Sequence, residues 1–492
     1  MTRRTFLQSL AAQAPPPSVL VLISDQLNAG VTSVYGGPVP TPNLERLARR
    51  GLVFTEATCP APFCSPSRAS LVTGQWPHAH GIVYNCMRKD YPAAGGPATE
   101  EGITVSDTTY DSVLHARGYL TRQYGKWHLS GDSLPYYGAC YGEHREYAQE
   151  MASVFAEVRR RPREQWMDWY GWALPVTIDA RCRNALAQAA RLKNERISDF
   201  IGKIGCLDLK PQQTFDYRVA DHAIAAIGSA GSRPFSITCS FNWPHDPNVI
   251  PRPYYERFDP ARVRLPDNHD ALHPYFENDS SRVFGKAGPG VMREFLRIYY
   301  ASVAMIDEQV GRVLDALETA GRGENTIIVF TADHGDMAGG HGMAWKSTSA
   351  FYDEIVRVPL IVSAPGRVEP GRSAAAASLT DLAPTILALA GVPAPAGMQG
   401  RSLLAKPREY SYCERVSANP AHTRRLAPDA RAAIMIRGGG WKYSEYPNGT
   451  EFLYHLARDP GETCNLAAER AHASRKEKLR QLARQWQETT AH

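Results

Sequence analysis

Val19 to Ser24 is a near-continuous apolar run rich in β-branched residues, with a proline stretch before it and Asp25 directly behind. A strand without apolar–polar alternation is buried on both faces. The run therefore predicts a strand inside a parallel sheet, ending in a loop of the kind where ligands bind. The period then changes. Pro42 to Arg50 predicts a helix with Thr41 as N-cap and Gly51 as stop. Ser67 to Gly74 predicts a second helix and places Cys64 just before its N-terminus, where an anion would face unpaired amides. Further along, 108–117 reads as a helix, 119–124 and 234–241 as strands, and 291–320 as a long amphipathic helix. The run 326–331 predicts a strand ending near Asp333, 358–363 another strand, and 381–390 a helix. Alternating β and α elements predict an α/β fold, a mainly parallel central sheet with helices on both faces. Residues 131–205 lack this rhythm and read as an insertion near the site.

Residues 391–397, rich in glycine and proline, look like a linker. Beyond them, 432–446 and 450–456 read as strands joined through Pro447-Asn448-Gly449. The motif Asn448-Gly449-Thr450 also fits a glycosylation sequon, with a hairpin turn the favoured role. A charged helix follows, so the C-terminal part predicts a small antiparallel sheet with one helix. The expected division is an N-terminal segment 1–14, a catalytic α/β domain 15–396 and a smaller α+β domain 397–492. A length of 492 residues exceeds what one core supports, in keeping with two units.

Composition narrows the classes. Hydrophobic residues make up 43% and charged residues 21%, values ordinary for a globular protein. No apolar run has the length of a membrane span. Net charge is +5, with no basic block interleaved with aromatics, so the expectation is no nucleic-acid partner. Thr2-Arg3-Arg4-Thr5-Phe6-Leu7-Gln8 resembles a twin-arginine export signal and Ala12-Gln13-Ala14 a cleavage site, although the apolar stretch between them is short. The expectation is a periplasmic or exported protein, with a basic disordered start and a cytoplasmic location as the alternative. The nine cysteines lack any C-x-x-C pair, which argues against structural zinc.

Chemistry-bearing residues gather in five motifs. The first is Cys64-Ser65-Pro66-Ser67-Arg68 running to Thr73-Gly74. Ser24-Asp25-Gln26 ends the first strand. Gly118-Tyr119-Leu120-Thr121 leads to Gly125-Lys126-Trp127-His128. Pro244-His245-Asp246-Pro247 follows the strand from Phe235. Thr331-Ala332-Asp333-His334-Gly335-Asp336 runs on to His341 and Lys346. Each has an ordinary explanation alone: a loop cysteine, a strand-end aspartate capping a helix, surface charge beside a packed indole, a satisfied loop histidine. All five in order at strand ends resemble the type I (formylglycine-dependent) sulfatases of the alkaline phosphatase superfamily.

That resemblance implies a mechanism. Cys64 would be oxidised to formylglycine by a formylglycine-generating enzyme, and the hydrated aldehyde would attack sulfur in a sulfate ester. One calcium ion (Ca2+) would be held by Asp25, Asp333, His334 and residue 64, with Gln26 at or near the shell. Calcium prefers oxygen ligands, so His334 is the weak member, with sulfate or the nucleophile as its alternative contact. Arg68, Lys126 and Lys346 would offset charge on the sulfate oxygens. His245 with Lys346 would assist the departing alcohol, and His128 would take a proton from the hydrate. Lys126, His245, Lys346 and Asn85 would contact substrate, while Asp336 and His341 would order the loop. With Cys64 modified, eight cysteines remain, which permits full pairing in an oxidising compartment. The Asp25-Gln26 and Asp333-His334 pairs are similar to those of choline sulfatases and phosphonate monoester hydrolases. The alternatives are a phosphodiesterase or phosphonate monoester hydrolase on the same scaffold, against which Lys126-Trp127-His128 argues, and a catalytically silent sulfated-glycan binding protein. A sulfated carbohydrate is the expected substrate, an aryl or alkyl sulfate the second choice. Trp166, Trp169, Tyr170 and Trp172 of the insertion are able to stack on sugar rings, with core packing the favoured role.

Overall fold

The computed structural model describes residues 15–86, 102–129, 140–141, 146–169, 172–178, 182, 184–185, 204–347, 350–416 and 432–490. The export-signal motif and Tyr170 lie outside these residues. Eight strands form the main sheet: β1 Ser18–Asp25, β2 Leu52–Thr58, β3 Leu120–Gly125, β4 Cys140–Tyr141, β5 Phe235–Pro244, β6 Thr326–Ala332, β7 Leu360–Ser363 and β8 Gly371–Ser378. Their order is β8-β2-β7-β6-β1-β5-β3-β4. Pairing is parallel throughout except at β7, which runs antiparallel to both β6 and β2. The expected mainly parallel sheet is therefore present, with β1 near its centre and buried along its full length.

Seven helices are used below: α1 Pro42–Arg50, α2 Cys64–Thr73, α3 Tyr110–Ala116, α4 Phe215–Ser229, α5 Pro289–Thr319, α6 Leu382–Leu389 and α7 Ala473–Thr490. The long α5 packs on α1 and α4, while α2, α3 and α6 form a second group. The amphipathic spacing of α5 has its physical reason here, since Phe295, Ile298, Tyr299, Met305 and Ile306 are all buried. Each such side chain contributes roughly 1.5–3 kcal/mol of transfer free energy. The helix α3 is fixed at its start by a capping box between Thr109 and Ser112.

The C-terminal sheet has four antiparallel strands, β9 Ser411–Val416, β10 Ala432–Gly438, β11 Trp441–Glu445 and β12 Glu451–His455, with α7 against β10 and β11. The single strand expected over 432–446 is two strands. Gly439 and Gly440 take φ of 59° and 77° and turn the chain between them, a conformation that suits paired glycines in a hairpin. A third sheet pairs Trp166–Trp169, Trp172–Ile178, Gly205–Leu207 and Val249–Pro251. Trp172 is buried there against Tyr147 and Phe215, the packing role rather than the stacking one. The described cysteines 59, 64, 86, 182, 206, 239, 413 and 464 carry free thiols. Among the described residues no helix is long and apolar enough to cross a membrane.

Candidate active site

Four parallel strands end at one place. Asp25 closes β1, Lys126 follows β3, His245 follows β5, and Asp333 with His334 follows β6. This is the carboxyl edge of the sheet, where open α/β folds bind ligands. Gly125 makes the approach of β3 to β5 close: its φ is 91°, and a Cβ there would lie 1.8 Å from the Ser240 carbonyl oxygen. Beyond β6, Gly335 N donates to Ile355 O at 2.7 Å, which turns the loop back toward the site. Cys64 is the first residue of α2 rather than a residue before it. Phe63 is extended, and Pro66 fits the first turn because its missing N–H is not needed there. Gln26, His128 and Trp345 all have positive φ, of 63°, 57° and 62°. Such backbone costs about 1–3 kcal/mol per residue and concentrates at functional sites.

Arg68 is the central brace. Its Nη2 donates to Asp25 Oδ2 and its Nε to Asp333 Oδ2, each at 2.8 Å. Its Nη1 donates to Lys126 O at 2.8 Å and Ser240 Oγ at 2.9 Å. Lys126 Nζ is 2.8 Å from Asp25 Oδ2. Asp333 Oδ1 accepts from the backbone N–H groups of Gln26 and His334, at 3.0 and 2.9 Å. Around Cys64 Sγ stand His334 Nε2 at 3.2 Å, Lys346 Nζ at 3.4 Å, Lys126 Nζ at 3.9 Å and Asp25 Oδ1 at 4.0 Å. His128 hydrogen-bonds the same thiol. Lys346 Nζ donates to Gln26 Oε1 at 3.1 Å and is 2.9 Å from His245 Nε2.

Asn85 is placed at the edge of this group. Its Oδ1 accepts from Ser65 N at 3.1 Å, capping the first turn of α2. The other sequence-predicted residues converge. Asp336 and His341 order the loop: Asp336 accepts from Ala338 N, Trp345 N and Gln26 Nε2, and His341 stacks on Tyr352 at 3.7 Å. Residues not singled out from sequence also take part. Ser65 Oγ donates to His128 O at 2.5 Å, Ser67 Oγ donates to Asp333 O at 2.5 Å, and Ser240 holds Arg68. The two α2 serines lay within the quoted motif, whereas nothing local marks Ser240.

The charges explain the titration of the group. Burial and Cys64 act to raise the Asp25 carboxyl, but Lys126, His245 and Arg68 outweigh them and hold it below the usual carboxylate range. Burial also opposes ionisation of Cys64, yet Lys126, Lys346 and His334 keep that thiol well below its ordinary value. His334 is pushed up to about 9 because Asp333 and Cys64 overcome burial. An anion at residue 64 is thus stabilised by several cations.

Asp25, Cys64, Asp333 and His334 bring four ligand atoms within 4.8 Å of one another. A divalent cation fits this donor set: two buried carboxylates each keep one oxygen off the Arg68 brace, and Gln26 Oε1 accepts from Lys346, which also reaches Cys64 Sγ. The proton that His334 attracts is one a cation would displace.

A family model described as Sulfatase matches residues 17–392, and one described as N-sulphoglucosamine sulphohydrolase, C-terminal, matches residues 339–489. The chain is 28% identical to choline-sulfatase of Rhizobium meliloti (strain 1021), over 92% of this chain and 82% of the relative. It is 26% identical to N-acetylglucosamine-6-O-sulfatase of Bacteroides thetaiotaomicron, over 97% and 89%. The solved structure of phosphonate monoester hydrolase from Agrobacterium radiobacter superposes with a TM-score of 0.75 at 22% identity, over 96% of each chain. That likeness shows a shared fold.

Proposed function

The chain belongs to the sulfatase family of sulfuric ester hydrolases, and from that premise we propose that it removes sulfate from a carbohydrate ester, using a formylglycine at residue 64 and calcium. The observation that carries this reading is the convergence of Lys126, Lys346 and His334 on one buried cysteine at a helix start, with Arg68 bracing the two carboxylates beside it and His245 behind Lys346. A sulfate ester is an anion whose equatorial oxygens gain charge as the sulfur–oxygen bond breaks, and preorganised cations lower that barrier most. The carbohydrate assignment draws on the amino-sugar names carried by the C-terminal family model and by one relative.

In the reading proposed here, Cys64 Sγ stands in for the oxygens of the hydrated aldehyde. That hydrate supplies a hydroxyl to attack sulfur and a second hydroxyl whose deprotonation expels sulfate, an exit that plain cysteine or serine lacks. Asp25, Gln26, Asp333, His334 and residue 64 would hold the calcium, which adds positive charge beside the sulfate. Lys126 and Lys346 bind the sulfate oxygens. Arg68 acts by bracing both aspartates, since its nitrogens are engaged by them and by Lys126 O and Ser240. His128 takes the hydrate proton, and His245 beside Lys346 protonates the departing alcohol. Asn85, whose Oδ1 caps the first turn of α2, would contact substrate. The boundaries 15–396 and 397–492 remain our proposed division, and export through the N-terminal twin-arginine motif our proposed location.

The test is co-expression with a formylglycine-generating enzyme, mass spectrometry of the Cys64 peptide, and turnover of 4-nitrophenyl sulfate against phosphodiester and phosphonate esters. An aldehyde at residue 64 with sulfate-ester preference supports the reading. Phosphonate or phosphodiester preference moves the assignment to the other hydrolase, and an unmodified thiol with binding but no turnover to the silent protein.

A further inference from the structure

His245 does not stand alone at the end of β5. Its Nδ1 lies 2.7 Å from the Asp246 carbonyl oxygen and 3.0 Å from Asp246 Oδ1. Both partners are acceptors while Asp246 is ionised, so Nδ1 must carry the ring hydrogen. The other ring nitrogen, Nε2, faces Lys346 Nζ at 2.9 Å. The side chains of His245 and Asp246 are only 10% and 15% exposed, so the pair is largely withdrawn from water.

The loop is built to hold this pair. Asp216 on α4 accepts from the backbone of Asn242 at 2.5 Å and of Trp243 at 3.4 Å. His245 N donates to Asn242 O at 3.0 Å, and Asn242 Nδ2 donates to Asp246 O at 3.4 Å. Asn248, two residues beyond Asp246, accepts from Trp345 Nε1 at 3.1 Å, tying the loop to the neighbour of Lys346.

We propose that Asp246 is a positioning residue for departure of the alcohol, its carboxylate fixing the Nδ1–H form of His245 and aiming Nε2 at the leaving oxygen. The inference rests on the sulfatase reading above. As the sulfur–oxygen bond breaks, its electron pair stays with the alcohol oxygen, which takes the proton from Nε2 and leaves a neutral ring still hydrogen-bonded through Nδ1. Before that transfer the ring is a cation beside the Lys346 ammonium. The Asp246 carboxylate offsets the repulsion, as acidic partners of working histidines do elsewhere. An amide at this position can still accept from Nδ1 but cannot offset charge. Orientation and electrostatics are therefore separable.

The experiment is a series of substituted phenyl sulfates, from nitro to methoxy, with matured wild type, Asp246→Asn and Asp246→Ala, each checked for formylglycine content and melting temperature. A phenol that leaves readily needs no proton, whereas a poor one does. Asp246→Asn is expected to lose about 10–100-fold in kcat/KM on the least acidic phenol, and progressively less toward the nitro ester, so that dependence on leaving-group pKa steepens. Asp246→Ala, with the side-chain acceptor gone, is expected to steepen it further. A loss of equal size across the series, or none, overturns the role of Asp246. If the matured wild type releases sulfate from neither the phenyl sulfates nor sulfated amino sugars assayed beside them, the sulfatase reading falls first and this inference with it.

Discussion

Two residues divide the work at the smallest scale. In the proposed reading Cys64 offers the reacting position, and Arg68 braces two buried carboxylates beside it. Cys64→Ala is expected to abolish sulfate-ester turnover with little change in thermal unfolding, because the substitution removes the sulfur and its weak contacts to His334 and Lys346 but leaves the Arg68 brace between Asp25 and Asp333 intact. Wild-type-like turnover in that variant would sink the nucleophile assignment. Arg68→Met is expected to behave in the opposite way, lowering stability by about 3–5 kcal/mol in urea unfolding, since it strips the brace from two buried carboxylates. Arg68→Lys keeps the charge but loses the fork, so it should fall between the two. If Arg68→Met unfolds at the wild-type urea concentration, the bracing role is wrong. The candidate residues were legible because sulfate chemistry demands unusual side chains at strand ends. The duties of Arg68, Ser240 and Asp246 were not, because Arg68 meets Ser240 across 172 positions of sequence and only folding sets that distance.

At the scale of elements, the site depends on how closely β3 approaches β5. Gly125→Ala puts a methyl group 1.8 Å from the Ser240 carbonyl and forces an L-residue to φ of 91°. The two strands must part, and Lys126, whose N donates to Ser240 O at 3.0 Å, moves with β3. Loss of roughly 2 kcal/mol or more together with most of the turnover is expected, read by thermal melting and by assay of the same preparation. Unchanged activity in a folded Gly125→Ala protein would show that Lys126 needs no such precision. Periodicity revealed β1, β6, α5 and α6 because their partners bury them in one regular stripe or run. It missed β2 and β8. The strand β2 carries Thr55 and Glu56 amid its apolar residues, and β8 is an edge strand of small residues, four of them alanine. The strand β2 owes its state to pairing with β7 and β8, and β8 to pairing with β2, a tertiary effect that local propensity does not register.

On the scale of the whole molecule, the C-terminal sheet is fastened to the loop that carries Asp333, His334 and Lys346. The helical turn Asp353–Val356 supports that loop through the bond from Gly335 N to Ile355 O. From the other side, Arg437 of β10 and Lys442 of β11 pair with Asp353, each at 2.7 Å, and Lys442 also meets Glu462 at 2.7 Å. Glu462 accepts in addition from Asp353 N at 2.6 Å. These partners lie 84 to 109 positions from Asp353, so no motif could announce the cluster. It has a consequence for pH. Burial, reinforced by Asp353 and Glu354 and opposed by Lys442, raises Glu462 from 4.5 to about 8. The folded chain thus holds this proton more tightly than the unfolded one. The resulting stability is complete below about pH 4.5 and is lost as pH climbs through about 8. Asp353 works in the opposite sense: despite burial, Arg437 and Lys442 hold it well below 3.8, so its contribution is present above that pH and fades only in acid. Between pH 5 and 8 Glu462 is therefore the member of this cluster whose proton matters. Glu462→Gln keeps an oxygen to accept from Lys442 and Asp353 N but cannot titrate. Its melting temperature, measured beside wild type across that window, is expected to gain on wild type as pH rises; two curves that stay parallel would remove Glu462 from the account of how the two sheets hold together.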